Sequence, residues 1–140
     1  MNDDLMRGIS DLDLDWMAER LMQPPSLMLF RSAKIPALLD EYRKFLALKR
    51  LEPDKTRVVP SCDVDEVWHL HILNTRRYAE DCERIFGFYL HHDPSFGETP
   101  EGRAALESAW ESTAALYRQH FGDDAFRARG EHWREHMFCG

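Results

Sequence analysis

Apolar and charged positions alternate with a helical period along most of the chain. Apolar residues recur at three- and four-residue spacing over residues 11–22 and again over residues 35–51, each time with charged residues on the opposite face. Pro24 and Pro25 follow the first segment and Pro53 follows the second, and proline cannot continue a helix. The pattern therefore predicts one helix in each segment.

A longer helix is predicted over residues 61–86. Ser61 is a favourable N-cap residue, and Asp63 and Asp65 complement the helix dipole in the first turn. Gly87 is a typical residue for the C-terminal end. The preceding residues 58–60 end in proline and predict an extended connection, because the residue before a proline avoids the helical region.

Two further helices are predicted in the C-terminal part. Thr99 is an N-cap residue followed by Pro100 at the first helical position, and this helix runs to about His120. A weaker helical pattern covers residues 124–138. No segment has a convincing strand pattern. We therefore expect an all-α fold, a compact single-domain bundle of about five helices over residues 1–140.

Composition and charge narrow the function classes. The 140 residues are 44% hydrophobic and 11% aromatic, which is enough to bury a core and excludes fibrous and disordered classes. The net charge of −7 opposes binding to nucleic acid or to an anionic membrane. No apolar stretch approaches the roughly 18 residues of a membrane span, and the acidic N-terminus does not resemble a signal peptide. We expect a soluble, cytoplasmic protein.

The predicted helix over residues 61–86 carries an unusual inward face. At about 100° per residue, one stripe has the spacing of a core-facing surface. Its positions are Val64, Val67, His71, Thr75, Tyr78, Cys82 and Ile85. Buried polar groups need partners, so this stripe predicts a hydrogen-bonded network or a ligand site.

A possible metal site follows from the histidines. His69 points about 160° away from His71 on a regular helix and lies one turn after Asp65. The Asp65 carboxylate can orient a ligating imidazole or bind the metal itself. Either one of His69 and His71 is a ligand and the other structural, or the helix is distorted, and the helical phase leaves open which one faces the site. His92 lies in the connection after the helix and can complete the set. Zinc, iron and copper accept such ligands. The candidate metal ligands are Asp65, His69, His71, Cys82 and His92, and the candidate cofactor-binding residues are Tyr78 and Asp81.

Residues 58–94 also carry a longer pattern. It comprises Pro60-Ser61, Val64-Asp65, Trp68-His69-x-His71, Tyr78, Asp81-Cys82, Gly87 and His92-x-Pro94. This pattern resembles that of the glycine-rich domain-containing-protein-like family, a family of unknown function found in plants and bacteria. The resemblance implies no particular activity. The positions that it singles out are Asp65, Trp68, His69, His71, Tyr78, Asp81, Cys82 and His92.

Residues 132–136 match the H-x-x-E-H string of some zinc proteases. The string stands close to the C-terminal end of the sequence, where we expect no further residues for a substrate cleft or a distant third ligand. We therefore do not expect protease activity. Whether the protein is an enzyme of another kind stays open.

The sequence thus favours a site for a divalent transition metal (zinc, iron or copper) or a small polar ligand. His69 or His71 would bind it together with His92. Asp65 would either bind it as well or orient one of these imidazoles, and Cys82 and Tyr78 would be neighbours of the site. The alternative is a protein–protein interaction (adaptor) module in which the W-H-x-H motif is purely structural, and in which basic residues 34–57 or an exposed aromatic patch meet a partner. A metal site predicts that the histidines converge on one point, whereas an adaptor predicts dispersed histidines and an apolar surface patch.

Overall fold

The computed structural model describes residues 4–22, 35–54, 56–93 and 95–122. The helices are α1 (Asp15–Leu21), α2 (Ile35–Leu51), α3 (Cys62–Leu73), α4 (Thr75–Phe86) and α5 (Pro100–Phe121). These described ranges contain no strand, which confirms the all-α prediction. None of the described helices has the length and apolarity required to cross a membrane.

The helix ends follow the predicted local chemistry. The Ser61 Oγ accepts a hydrogen bond from the Val64 N–H at 3.2 Å, and the Thr99 Oγ1 accepts one from the Gly102 N–H at 2.9 Å. Gly87 ends α4 with a φ of 77°, a left-handed conformation that favours glycine. Helix α2 has the predicted bounds, whereas α1 is shorter than predicted. The helix predicted over residues 124–138 lies outside the described residues.

The prediction of one continuous helix over residues 61–86 is wrong, because the helix is interrupted at Asn74, between α3 and α4. This residue leaves the helical region with φ −85° and ψ 73°. Its N–H still donates to the His71 carbonyl at 3.1 Å, and its carbonyl accepts from the Tyr78 N–H at 2.8 Å, so α4 starts directly at this corner. Thr75 is exposed there, contrary to its predicted place on the inward stripe. The buried stripe positions are Val64, Val67, His71, Tyr78, Cys82 and Ile85.

Helix α3 occupies a central position, since it packs against α1, α2 and α4. Its inward side chains include Val67 and Trp68, which join the hydrophobic core. The core also receives α5 through residues such as Trp110 and Tyr117. Side chains on α3 are therefore held by neighbours on several elements, which gives the polar groups among them defined positions.

One basic residue of α2 does not lie on the charged face that the pattern predicts for this helix. Lys49 is only 3% exposed, and its Nζ lies 6.0 Å from the ring centroid of Phe45 and 5.9 Å from that of Trp68. Burial lowers the pKa of this amine to about 8. The basic residues that the structure describes between positions 35 and 57 consequently do not all lie on a solvated surface. The periodicity of α2 places Lys49 against the core, where its long stem packs on aromatic rings.

Candidate metal centre

Three of the predicted ligands converge. The Asp65 Oδ1 lies 2.7 Å from the His92 Nε2, and the Asp65 Oδ2 lies 3.3 Å from the His69 Nε2. The two Nε2 atoms of His69 and His92 are 2.8 Å apart. One donor atom from each residue lies within 4.8 Å of the others, so the three groups face a common point. We call Asp65, His69 and His92 the metal-site trio.

Two segments supply the trio. Asp65 and His69 stand four residues apart on α3 and therefore share a face of that helix. His92 comes from residues 87–93, which follow the end of α4. Its imidazole stacks on the indole of Trp68 with a centroid distance of 4.1 Å and an interplanar angle of 5°. The local geometry of α3 thus prepares two donors, and the segment after α4 adds the third.

The trio opens toward solvent on one side. The side chains of Asp65 and His92 are 12% and 15% exposed, whereas that of His69 is 44% exposed. An ion held there would face protein on the side of Asp65 and His92 and water on the side of His69. Three protein ligands with an open side are typical of catalytic metal sites, whereas structural zinc sites usually have four protein ligands.

The distances in the trio can be compared with those around an ion. Two nitrogen ligands at the usual zinc–nitrogen distance in a tetrahedral site are about 3.3 Å apart. The 2.8 Å between the His69 and His92 nitrogens is a hydrogen-bond distance, and the His92 Nε2 carries the hydrogen because it also donates to the Asp65 Oδ1. Metal binding would replace that hydrogen and separate the rings by about half an ångström, a movement for which the half-exposed His69 has room.

His71 belongs to a different, buried network. Its Nε2 lies 2.8 Å from the Asp81 Oδ2, and its Nδ1 lies 2.7 Å from the Tyr42 hydroxyl. Since the carboxylate can only accept, the Nε2–H donates to Asp81 and the Nδ1 accepts from Tyr42. The other Asp81 oxygen accepts from Arg84 at 2.9 Å. Burial lowers the pKa of His71, and the bond to Asp81 only partly opposes this effect, which favours the neutral imidazole.

Tyr78 and Cys82 also lie in the interior. The Trp68 Nε1–H donates to the Tyr78 hydroxyl at 2.9 Å, and that hydroxyl donates to the Leu90 carbonyl at 2.6 Å. Cys82 is a free, buried cysteine beside Tyr78. Burial raises the pKa of both side chains, so the thiol and the phenol stay protonated at neutral pH. A protonated, buried thiol is a poor metal ligand.

The structure therefore divides the candidates into two groups. It brings Asp65, His69 and His92 together, and it places the remaining ones in the interior network. Those interior residues are His71, Tyr78, Asp81 and Cys82. The H-x-x-E-H string at residues 132–136 lies outside the described residues.

Tyr42 on α2 is a neighbour of His71 that the sequence pattern did not single out. It is fully buried, and its hydroxyl holds His71. The available signal was a tyrosine on a core-facing helix stripe, because a buried tyrosine hydroxyl needs a polar partner. The sequence offered no means of identifying that partner, which stands on another helix.

An open groove of about 670 Å³ lies elsewhere, between α1 and the α3–α4 corner. Its lining includes Trp16, Arg20, Leu70 and Leu73, but no member of the metal-site trio. The groove is therefore separate from the converging donors.

Comparison with known proteins places the chain in a family. The model of the UCP032817-like family matches residues 22–118. The chain belongs to this family. The match spans α2, α3 and α4, so it extends beyond the resemblance in residues 58–94, and it includes all three members of the trio. No solved structure matches the chain.

This UCP032817-like protein is similar to two proteins of Arabidopsis thaliana. It is 29% identical over 94 residues to Glycine-rich domain-containing protein 1 and 30% identical over 90 residues to Glycine-rich domain-containing protein 2. The alignments cover 65% and 62% of this chain, but 11% of each relative. The chain thus spans about a tenth of the length of these relatives.

Proposed function

We propose that this protein binds a divalent transition metal ion, zinc or iron(II), through the metal-site trio. The ligands are the Nε2 atoms of His69 and His92 and a carboxylate oxygen of Asp65. The observation that carries the proposal is the approach of all three donor atoms to within 4.8 Å of one another. Two imidazoles and one carboxylate form a donor set used by catalytic zinc and by non-haem iron(II).

The exposure of His69 indicates how such an ion would be used. Three protein ligands leave at least one coordination position for water or a small polar ligand. The exposed side of the trio gives such a ligand access, since 44% of the His69 side chain is open to solvent. We infer a metal site that exchanges ligands with solvent rather than a closed structural site.

The alternative function is an adaptor module in which the W-H-x-H motif has only a structural role. An adaptor module predicts that the histidines do not converge on one point. His71 fits it, because both of its nitrogens have partners inside the protein. The approach of His69 to His92 favours the metal site instead, since a purely structural role does not require two imidazole nitrogens beside one carboxylate.

Metal content measured by plasma mass spectrometry tests the proposal. Tag-free protein is reconstituted separately with zinc, iron(II), copper and manganese, and excess metal is then removed. We expect close to one equivalent of zinc or iron in the unmodified protein and loss of that metal in His69→Ala and in His92→Ala.

His91→Ala is the matched control, because His91 is an exposed neighbour of His92 whose ring contacts Tyr89. The double variant His132→Ala/His136→Ala controls for adventitious binding at the H-x-x-E-H string. Both controls should retain the metal. Absence of zinc and iron from the reconstituted protein, or full retention in His92→Ala, would overturn the proposal.

A further inference from the structure

Buried hydrogen bonds connect α3, α4 and the segment that carries His92. The Trp68 Nε1–H on α3 donates to the Tyr78 hydroxyl on α4 at 2.9 Å. The same hydroxyl donates to the backbone carbonyl of Leu90 at 2.6 Å. Trp68, Tyr78 and Leu90 are 3%, 0% and 3% exposed, so water cannot readily replace a lost partner. A single hydroxyl group therefore joins three segments.

Both ends of this connection reach His92. Leu90 stands two residues before His92 in the same irregular segment. Trp68 supports the His92 ring directly through the parallel stack at 4.1 Å. Residues 87–93 have no helical hydrogen-bond ladder of their own, so their order depends on contacts with the helices.

The direct bond between Asp65 and His92 cannot provide this order when an ion is bound. That bond uses the His92 Nε2 and an Asp65 oxygen, the atoms that the ion would take. The hydrogen bonds of Tyr78 and the stack of His92 on Trp68 use none of the metal-donor atoms. They can therefore be present both with and without a bound ion. Groups that orient a metal-binding side chain without touching the metal commonly contribute to the affinity of the protein for that metal.

We propose that Tyr78 is a positioning residue of the metal site, whose hydroxyl joins the Trp68 indole to the Leu90 carbonyl and thereby holds the His92 imidazole toward Asp65 and His69. This inference rests on the proposed metal binding. Tyr78 acts through Trp68 and Leu90 and does not itself contact the ion.

The test compares Tyr78→Phe with Tyr89→Phe in the full chain. Tyr78→Phe removes the joining hydroxyl and keeps the ring. Tyr89→Phe removes a hydroxyl from the same segment as His92, but Tyr89 is 41% exposed and stands outside the connection. Cobalt(II) is the probe, because its visible absorption reports ligand number and geometry. Zinc competition then gives the affinity for zinc.

We expect Tyr78→Phe to bind both metals about 10- to 100-fold more weakly, with an altered cobalt spectrum. Tyr89→Phe should match the unmodified protein. Trp68→Phe, which removes the indole donor and keeps an aromatic ring, should also weaken binding and serves as the test if Tyr78→Phe does not fold. Unchanged cobalt affinity and spectrum in the folded Tyr78→Phe protein would overturn the inference.

A metal-free measurement distinguishes this inference from the proposed function. In the unmodified protein, nuclear Overhauser contacts should join the ring protons of His92 and Trp68, and Tyr78→Phe should weaken them. If the unmodified protein binds no cobalt, zinc or iron(II), the proposed function fails, and the role of Tyr78 at a metal fails with it. If metal binds but these contacts and the affinity survive in Tyr78→Phe, the proposed function stands and the inference alone is wrong.

Discussion

His69 and His71 stand two residues apart on α3 and take part in separate hydrogen-bond networks. The His69 Nε2 lies 2.8 Å from the His92 Nε2 at a half-exposed position, whereas His71 is 1% exposed and bonds Asp81 and Tyr42. Successive residues of a helix differ by about 100°, so two residues apart they face nearly opposite sides. One histidine is consequently available to an ion, and the other connects helices in the core.

Asp65→Asn should weaken metal binding at least about tenfold, because the amide keeps the size of the side chain but lacks the charged oxygen that the ion favours. A competition titration against a chelating dye measures the change. Asp63→Asn is the control, since Asp63 also lies in the first turn of α3 and has the same effect on the helix dipole. Equal losses in the two variants would show that general charge, and not ligation by Asp65, determines the affinity.

The stability of the metal-free protein should fall as the pH drops below about 6.5, the ordinary pKa of histidine. Burial lowers the pKa of His71 in the folded state, so the unfolded chain takes up the proton first and is favoured as the pH falls. Urea denaturation between pH 8 and pH 5 measures the trend. Replacement by a neutral residue, His71→Gln, should reduce the slope. An identical slope in that variant would exclude His71 as the cause.

Tyr42→Phe should destabilise the fold by about 1–2 kcal/mol without a change in metal affinity. The substitution removes the hydroxyl that donates to the His71 Nδ1 and leaves that buried nitrogen without its partner. Urea denaturation and a zinc titration on the same sample measure the two quantities. Tyr89→Phe, which alters an exposed tyrosine, should change stability by less than about 0.5 kcal/mol. A large loss of zinc affinity in Tyr42→Phe would mean that the two networks are coupled.

Lys49→Met should stabilise the protein at pH 7 by about 1–2 kcal/mol, because it replaces a buried amine by an apolar side chain of similar length. Burial lowers the pKa of Lys49 to about 8, so the folded protein releases this proton at a lower pH than the unfolded chain does. Stability of the unmodified protein therefore gains from Lys49 deprotonation as the pH rises above 8. The advantage of the variant should shrink between pH 7 and pH 9.5 in urea denaturation. An advantage independent of pH would contradict this explanation.

Much of the local structure could be predicted from residue spacing. The caps at Ser61 and Thr99 and the end at Gly87 depend on side-chain and backbone preferences within four residues, and all three are confirmed. The break at Asn74 could not be predicted in this way. Asparagine is tolerated in many helices, and the surrounding pattern continues the same buried stripe on both sides.

The sequence by itself determined the helical class, the inward stripe of α3 and α4 except for Thr75, and the pairing of Asp65 with His69, because these follow from helical spacing. The tertiary structure alone decided that His69 meets His92, that Tyr42 holds His71, and that Lys49 is buried. His69 and His92 are 23 residues apart, and Tyr42 and His71 are 29 apart. Contacts across such separations depend on how whole helices pack, which no local period encodes.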